Sequence, residues 1–395
     1  MADLLDSLAT RTTSMPSSGL IESGTGRTSI GDAPDALPLM PQLDALRAIA
    51  VLAVLAHHYV DTAWISSLLG TSPGLLGVRL FFVLSGFLIT RILLQSRKLA
   101  EDGTAKRGAL LKQFYIRRSL RIFPLYYLVL LGALLFGDAQ AGEQLPWLAT
   151  YTYNFWIAHL NWFPAYFSHF WSLAVEEQFY LLWPAAILFV PRRCLVLFLI
   201  AVVLTAPIYR WIALENRFGG VAFYVLTPSS LDALGLGALL ALLFGGRVPS
   251  RRATRTVIWV GGLGAIGWFY VLSDRALAAV LLETMIAFVF VAIVAAAAAG
   301  FRGRVGALLE ARPVLYLGRI SYGVYAYHVF LPDVVEALAK QFGYGFEVSG
   351  AAHFFLYTAI TIAVASLSWY AYERPINQMK RHFTYGRARQ GPDRG

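Results

Sequence analysis

Long apolar stretches alternate with short polar breaks along most of this chain. Ten stretches approach membrane-crossing length: residues 43–60, 74–95, 119–137, 171–190, 194–213, 229–246, 255–273, 277–300, 314–331 and 350–372. A helix needs about 20 mostly apolar residues to cross the hydrocarbon core of a bilayer. The pattern therefore predicts an all-α, polytopic membrane bundle of about ten transmembrane helices. The first and ninth stretches are short and polar for lipid-facing helices, which predicts interior positions around a site. Residues 1–40 are polar and lack the apolar run of a signal peptide. They are expected to form a disordered cytoplasmic tail, with one membrane domain over 41–376 and a basic cytoplasmic tail over 377–395.

Composition strengthens this reading. Hydrophobic residues make up 57% of the 395 residues and charged residues 14%, against about 25% charged in an average soluble chain. With the N-terminus inside, 25 of the 33 lysines and arginines fall in inside loops and tails, four in outside loops and four within spans. That bias obeys the positive-inside rule and predicts two cytoplasmic termini in a plasma (bacterial inner) membrane. It also explains the net charge of +10 through the anionic cytoplasmic leaflet, so no nucleic-acid partner is expected. The single cysteine, Cys194, excludes an intrachain disulfide and is expected at the cytoplasmic edge. No metal is expected.

Ionisable residues inside such helices cost about 2.5–3.5 kcal/mol at mid-helix, so they mark candidate chemistry. On the first stretch Arg47 and His58 lie eleven positions apart. That is three turns, or roughly 16 Å along one face. An imidazole there can take and return a hydroxyl proton. Neighbouring His57 points about 100° away, so packing or a local hydrogen bond is expected. In Phe81-Phe82-Val83-Leu84-Ser85-Gly86, the small pair at 85–86 permits close helix approach, and Arg79 above it is expected to snorkel outward. Arg118 and Arg121, in RRSLRIFP at 117–124, share a face and suit phosphate groups. Glu176 and Glu177, in WSLAVEEQFY at 171–180, enter the membrane from outside. One of them is expected to orient an imidazole, and Asp232 to join the same cluster. His328, ending ISYGVYAYH at 320–328, is expected at the level of His58. Glu373-Arg374-Pro375 closes the last helix. The loop over 138–170 carries Trp147, Tyr151, Tyr153, Trp156, Trp162 and Tyr166 but no Lys or Arg. It reads as an interfacial aromatic belt or as a platform for a sugar.

Taken in order, these motifs resemble the acyltransferase 3 family of membrane O-acyltransferases over about residues 41–376. The resemblance implies transfer of an acyl group, usually acetyl from cytoplasmic acetyl-CoA, to a hydroxyl of a carbohydrate or other exported acceptor. It implies His58 as general base with Glu176 as its aid. Arg47, Arg118 and Arg121 would bind the acyl-CoA donor, and Ser85, Glu177, Ser321, Tyr322 and His328 the substrates. It also implies the form without an added hydrolase-like domain. With Cys194 at the edge, no cysteine acyl-enzyme is expected. The competing expectation is a transporter or flippase of a glycan or lipid-linked substrate without chemistry.

Overall fold

The structure is a computed structural model that describes residues 38–136, 141–164, 166–216, 220–245, 249–343 and 348–383. Most of both expected tails lies outside the described residues. Among the described residues all regular structure is helical. Ten long helices coincide with the ten apolar stretches: α1 (Gln42–Tyr59), α2 (Pro73–Glu101), α3 (Arg107–Phe136), α4 (Phe170–Phe189), α5 (Arg192–Glu215), α6 (Leu231–Leu243), α7 (Arg251–Val271), α8 (Arg275–Ala299), α9 (Arg312–Tyr327) and α10 (Gly350–Ser368). Five of them are long and apolar enough to cross a membrane: α2, α3, α5, α8 and α10 with its continuation. The helices carrying most of the polar motifs, α1, α4 and α9, are not among the five.

Local signals set several helix starts. The Ser72 hydroxyl accepts from the Leu75 N–H, and Pro73 occupies the first turn of α2, where a missing N–H costs nothing. Asp274 caps α8 by accepting from the N–H groups of Ala276 and Leu277. At its far end α10 runs into one π turn, Trp369–Glu373, so the Glu373-Arg374-Pro375 motif begins on a local helical irregularity of a kind common at functional sites.

The core is built on α1 and α2, packed against α9 and α6. Four glycines, Gly77, Gly86, Gly237 and Gly318, make these crossings close. A side chain at Gly86 would strike the Leu234 backbone, and one at Gly318 would strike the Asp44 backbone. The close approach expected at 85–86 is thus made by Gly86 alone, which leaves Ser85 free to face inward. Replacing Gly318 with valine should push α1 from α9. The expected cost is about 1–3 kcal/mol of overpacking, read as a lower melting temperature in detergent.

A buried ionic cluster joins α2, α5, α6 and α8. Asp232 has no exposure. It accepts from Arg79 at 2.9 Å, from Arg210 at 2.8 Å and from the Thr284 hydroxyl at 2.7 Å. Arg79 also pairs with Glu283, and Arg210 donates to the Ser229 carbonyl at 2.8 Å. Two expectations change here. Arg79 does not snorkel outward but is 4% exposed. Asp232 joins two arginines instead of the histidines. In each case a carboxylate or cation supplied by another helix removes the cost of burial.

Candidate active site

An internal cavity opens among α1, α2, α3, α4 and α9. It is lined by Arg47 from α1, Ser85 from α2, Arg118 and Arg121 from α3, Glu176 and Glu177 from α4, and Ser321 and Tyr322 from α9. Helical spacing explains the convergence. Arg118 and Arg121 are three apart, Ser172 and Glu176 four apart, and Ser321 and Tyr325 four apart, so each pair shares a face. Eight of the ten site residues expected from sequence meet here.

The cavity has two chemically different ends. At one stand the three arginines. Arg118 lies 3.9 Å from the ring centre of Tyr180, a cation–π contact. It donates no hydrogen bond among the described residues, and its buried Nε has no partner. Arg121 lies 5.2 Å from the Trp369 ring and donates to the Arg319 carbonyl at 3.2 Å. Arg47 pairs with Asp44 at 2.7 Å, with both side chains partly exposed. This end therefore keeps guanidinium donors available for an anionic ligand. Beside it the Tyr180 hydroxyl donates to Ser85 at 2.9 Å, and Ser85 donates to Glu176 at 2.5 Å. Such a hydrogen bond to a carboxylate is charge-assisted and fixes Glu176.

At the other end the hydroxyls of Ser172 and Tyr325 meet at 2.6 Å. Behind Tyr325 lies a cluster of histidines. Its ring is 5.5 Å from His328 and 5.6 Å from His169. His58 packs edge-on against His328 at 4.8 Å, and His328 against His169 at 4.9 Å. His58, in the last turn of α1, is exposed. His57 places Nδ1 3.4 Å from the Thr62 hydroxyl, the local role expected of it.

His58 and His328 thus come together as expected, though neither lines the cavity. His328 has no exposure, so it touches His58 and not open space. Glu176 bonds to Ser85 rather than to an imidazole, because it lies seven residues, about 10 Å, along α4 from His169. Sequence reasoning missed Ser172, Tyr325 and His169. The first two stood inside quoted motifs. His169 lies one residue before the observed start of α4 and was read as loop.

Glu177 also borders a second cavity, shared with Arg118 and Tyr180 and walled by Ser119, Phe123, Thr150 and Tyr151. Of the aromatic loop, Tyr151 stacks on Tyr126 at 4.2 Å, and Trp147 on Trp156 at 5.5 Å. Tyr153 is fully buried, whereas Trp162 is 55% exposed. The loop is therefore partly core.

Apolar helices around an internal polar cavity, with arginines at one end and imidazoles beside the other, define a membrane protein with a buried reaction-type site. Residues 40–370 match the family model of the acyltransferase domain called acyltransferase 3, and the chain belongs to that family. It is 36% identical over 165 residues to the peptidoglycan O-acetyltransferase OatA of Listeria monocytogenes, covering 38% of this chain and 24% of that protein. It is 27% identical over 367 residues to the putative peptidoglycan O-acetyltransferase YrhL of Bacillus subtilis, covering 85% and 55%. It is 27% identical over 387 residues to the O-acetyltransferase OatA of Staphylococcus aureus, covering 86% and 57%. At best, the chain spans little more than half the length of these curated relatives. No solved structure matches it.

Proposed function

We propose that the protein is a membrane O-acetyltransferase. It moves an acetyl group from cytoplasmic acetyl-CoA to a hydroxyl of an exported glycan, with a peptidoglycan-type sugar as the first candidate. The observation that carries this reading is the cavity itself, with its arginines at one end and the Ser172–Tyr325 pair at the other, backed by histidines. The ten long helices are read as ten crossings of the bacterial inner membrane with both termini in the cytoplasm, forming one membrane domain over 41–376. The match between the helices and the apolar stretches supports this, as does the basic bias of the inside loops.

Arg47, Arg118 and Arg121 hold the donor phosphates. Guanidinium forks match phosphate oxygens, and Arg118 has its donors uncommitted. Ser85, Glu176, Glu177, Ser321 and Tyr322 line the path of the donor's polar arm toward Tyr325. At the outer end His58 takes the proton of the acceptor hydroxyl. The acceptor oxygen bonds to the acyl carbon, the C–S bond breaks, and the proton held by His58 passes to the leaving thiolate. Acyl transfer of this kind leaves the protein unmodified at every stage.

The test is to reconstitute the protein with acetyl-CoA labelled in the acetyl group and a panel of hydroxyl-bearing glycans. Label on a glycan supports the reading. Passage of an unmodified glycan across the vesicle membrane, with all label left on CoA, would support transport instead. In the same assay Arg118→Ala should raise the KM for acetyl-CoA about tenfold or more, the loss of one charged hydrogen-bonding group, with kcat much less affected.

A further inference from the structure

We propose that His169 and His328 extend His58 into a chain of three imidazoles, in which His169 is a positioning residue for proton transfer at His58. This rests on the acyltransferase reading.

The chain crosses three helices. His58 ends α1, His328 caps the C-terminus of α9, and His169 precedes α4. The two ring contacts, 4.8 and 4.9 Å, are both edge-on, near 70°. The backbones beneath the inner rings are clamped. The Tyr59 hydroxyl donates to the His328 carbonyl at 2.6 Å, and the Tyr325 hydroxyl donates to the His169 carbonyl at 2.9 Å.

One tautomer is set by geometry. His328 Nδ1 lies 2.6 Å from the Tyr325 carbonyl. A carbonyl oxygen only accepts, so Nδ1 carries the proton. The neutral ring therefore keeps a lone pair on Nε2, and that nitrogen is buried without a partner. It is an unused acceptor on the ring that packs edge-on against His58.

His169 is the stranger member. It is 4% exposed, and the Ala326 backbone offers its ring only a poorly formed hydrogen bond. A buried polar group without a good partner costs stability. Phe170 and Phe330 already pack on this ring, so phenylalanine would fill the same place without that cost. An imidazole kept here against stability needs a reason other than packing. Its contact with His328 supplies one. The edge-on contact of His169 holds the His328 ring in place against His58, so its effect on the proton at His58 is one of position, with no hydrogen bond joining the rings. No bond to carbon forms at His169 or His328, and the proton returns through His58 to the leaving group.

The test compares His169→Phe and His169→Gln with wild type in reconstituted protein. The Phe variant should melt at or above the wild-type temperature. Its kcat should fall about tenfold or more, with the KM for acetyl-CoA unchanged. The Gln variant, which retains a donor and an acceptor, should fall between the two. Wild-type kcat in both variants would overturn the proposal, since a packing residue leaves kcat alone. A wild-type protein that transfers no acetyl would sink the acyltransferase reading instead. The chain is then judged by the rate at which diethyl pyrocarbonate modifies His58, followed by peptide mass spectrometry. A rate changed by His169→Phe supports the chain, and an unchanged rate overturns it.

Discussion

Replacing His58 with alanine should lower acetyl transfer about 10²- to 10⁴-fold, the usual contribution of a positioned acid–base group. Stability should hardly move. The ring is exposed at the last turn of α1 and makes no hydrogen bond among the described residues. Its close neighbours are the edges of His57 and His328. Donor binding should also survive, because the three arginines line the cavity and His58 does not. Arg47 on the same helix is eleven residues away, roughly 16 Å. The expected pattern is therefore a collapse of kcat with an unchanged KM for acetyl-CoA and an unchanged melting temperature. A matching rise in KM would instead place His58 in donor binding.

Replacing Asp232 with alanine should do the opposite, destroying the fold before any question of chemistry arises. The carboxylate is fully buried and bridges Arg79 and Arg210, which are 4% and 0% exposed. Removing it leaves two cations facing one another with only Glu283 to balance them. Breaking a buried pair by deleting one partner costs about 3–5 kcal/mol, and this carboxylate serves two partners at once. Because the cluster ties α2, α5, α6 and α8 together, the variant should accumulate poorly in membranes and melt far below wild type. Asp232→Asn keeps an acceptor while losing the charge, so it should fall between. Thermal unfolding in one detergent, with all three proteins side by side, checks the order.

The division between these two residues shows what the sequence carries. All ten long helices are readable because long apolar stretches are local properties of the chain, and five of the helices are long and apolar enough to cross a membrane. Arg118, Arg121 and Glu176 stand out because charges in apolar helices are costly and so need a reason to exist. What they meet is a different matter. Asp232 and Glu176 look alike in sequence, each a carboxylate in an apolar helix. Only tertiary packing gives one of them two arginines and the other a serine and a tyrosine. Arg79 and Arg210 lie near helix ends, where snorkelling is the default, and the partners that draw them inward come from other helices. Ser172 and Tyr325 carry no charge, so no burial cost announces them. His169 falls just outside the apolar stretch that defines α4, and its importance rests on a contact with a residue 159 positions away.

The most direct test of the account is sidedness. Sealed vesicles holding the reconstituted protein are given labelled acetyl-CoA on one face and a glycan acceptor trapped on the other, with His58→Ala in parallel. The account predicts labelled glycan inside wild-type vesicles oriented with the arginine end toward the donor, and almost none inside the variant. Label appearing only when donor and acceptor share a face, or appearing equally with His58→Ala, would contradict transfer through a cavity from the arginine end to the histidine end.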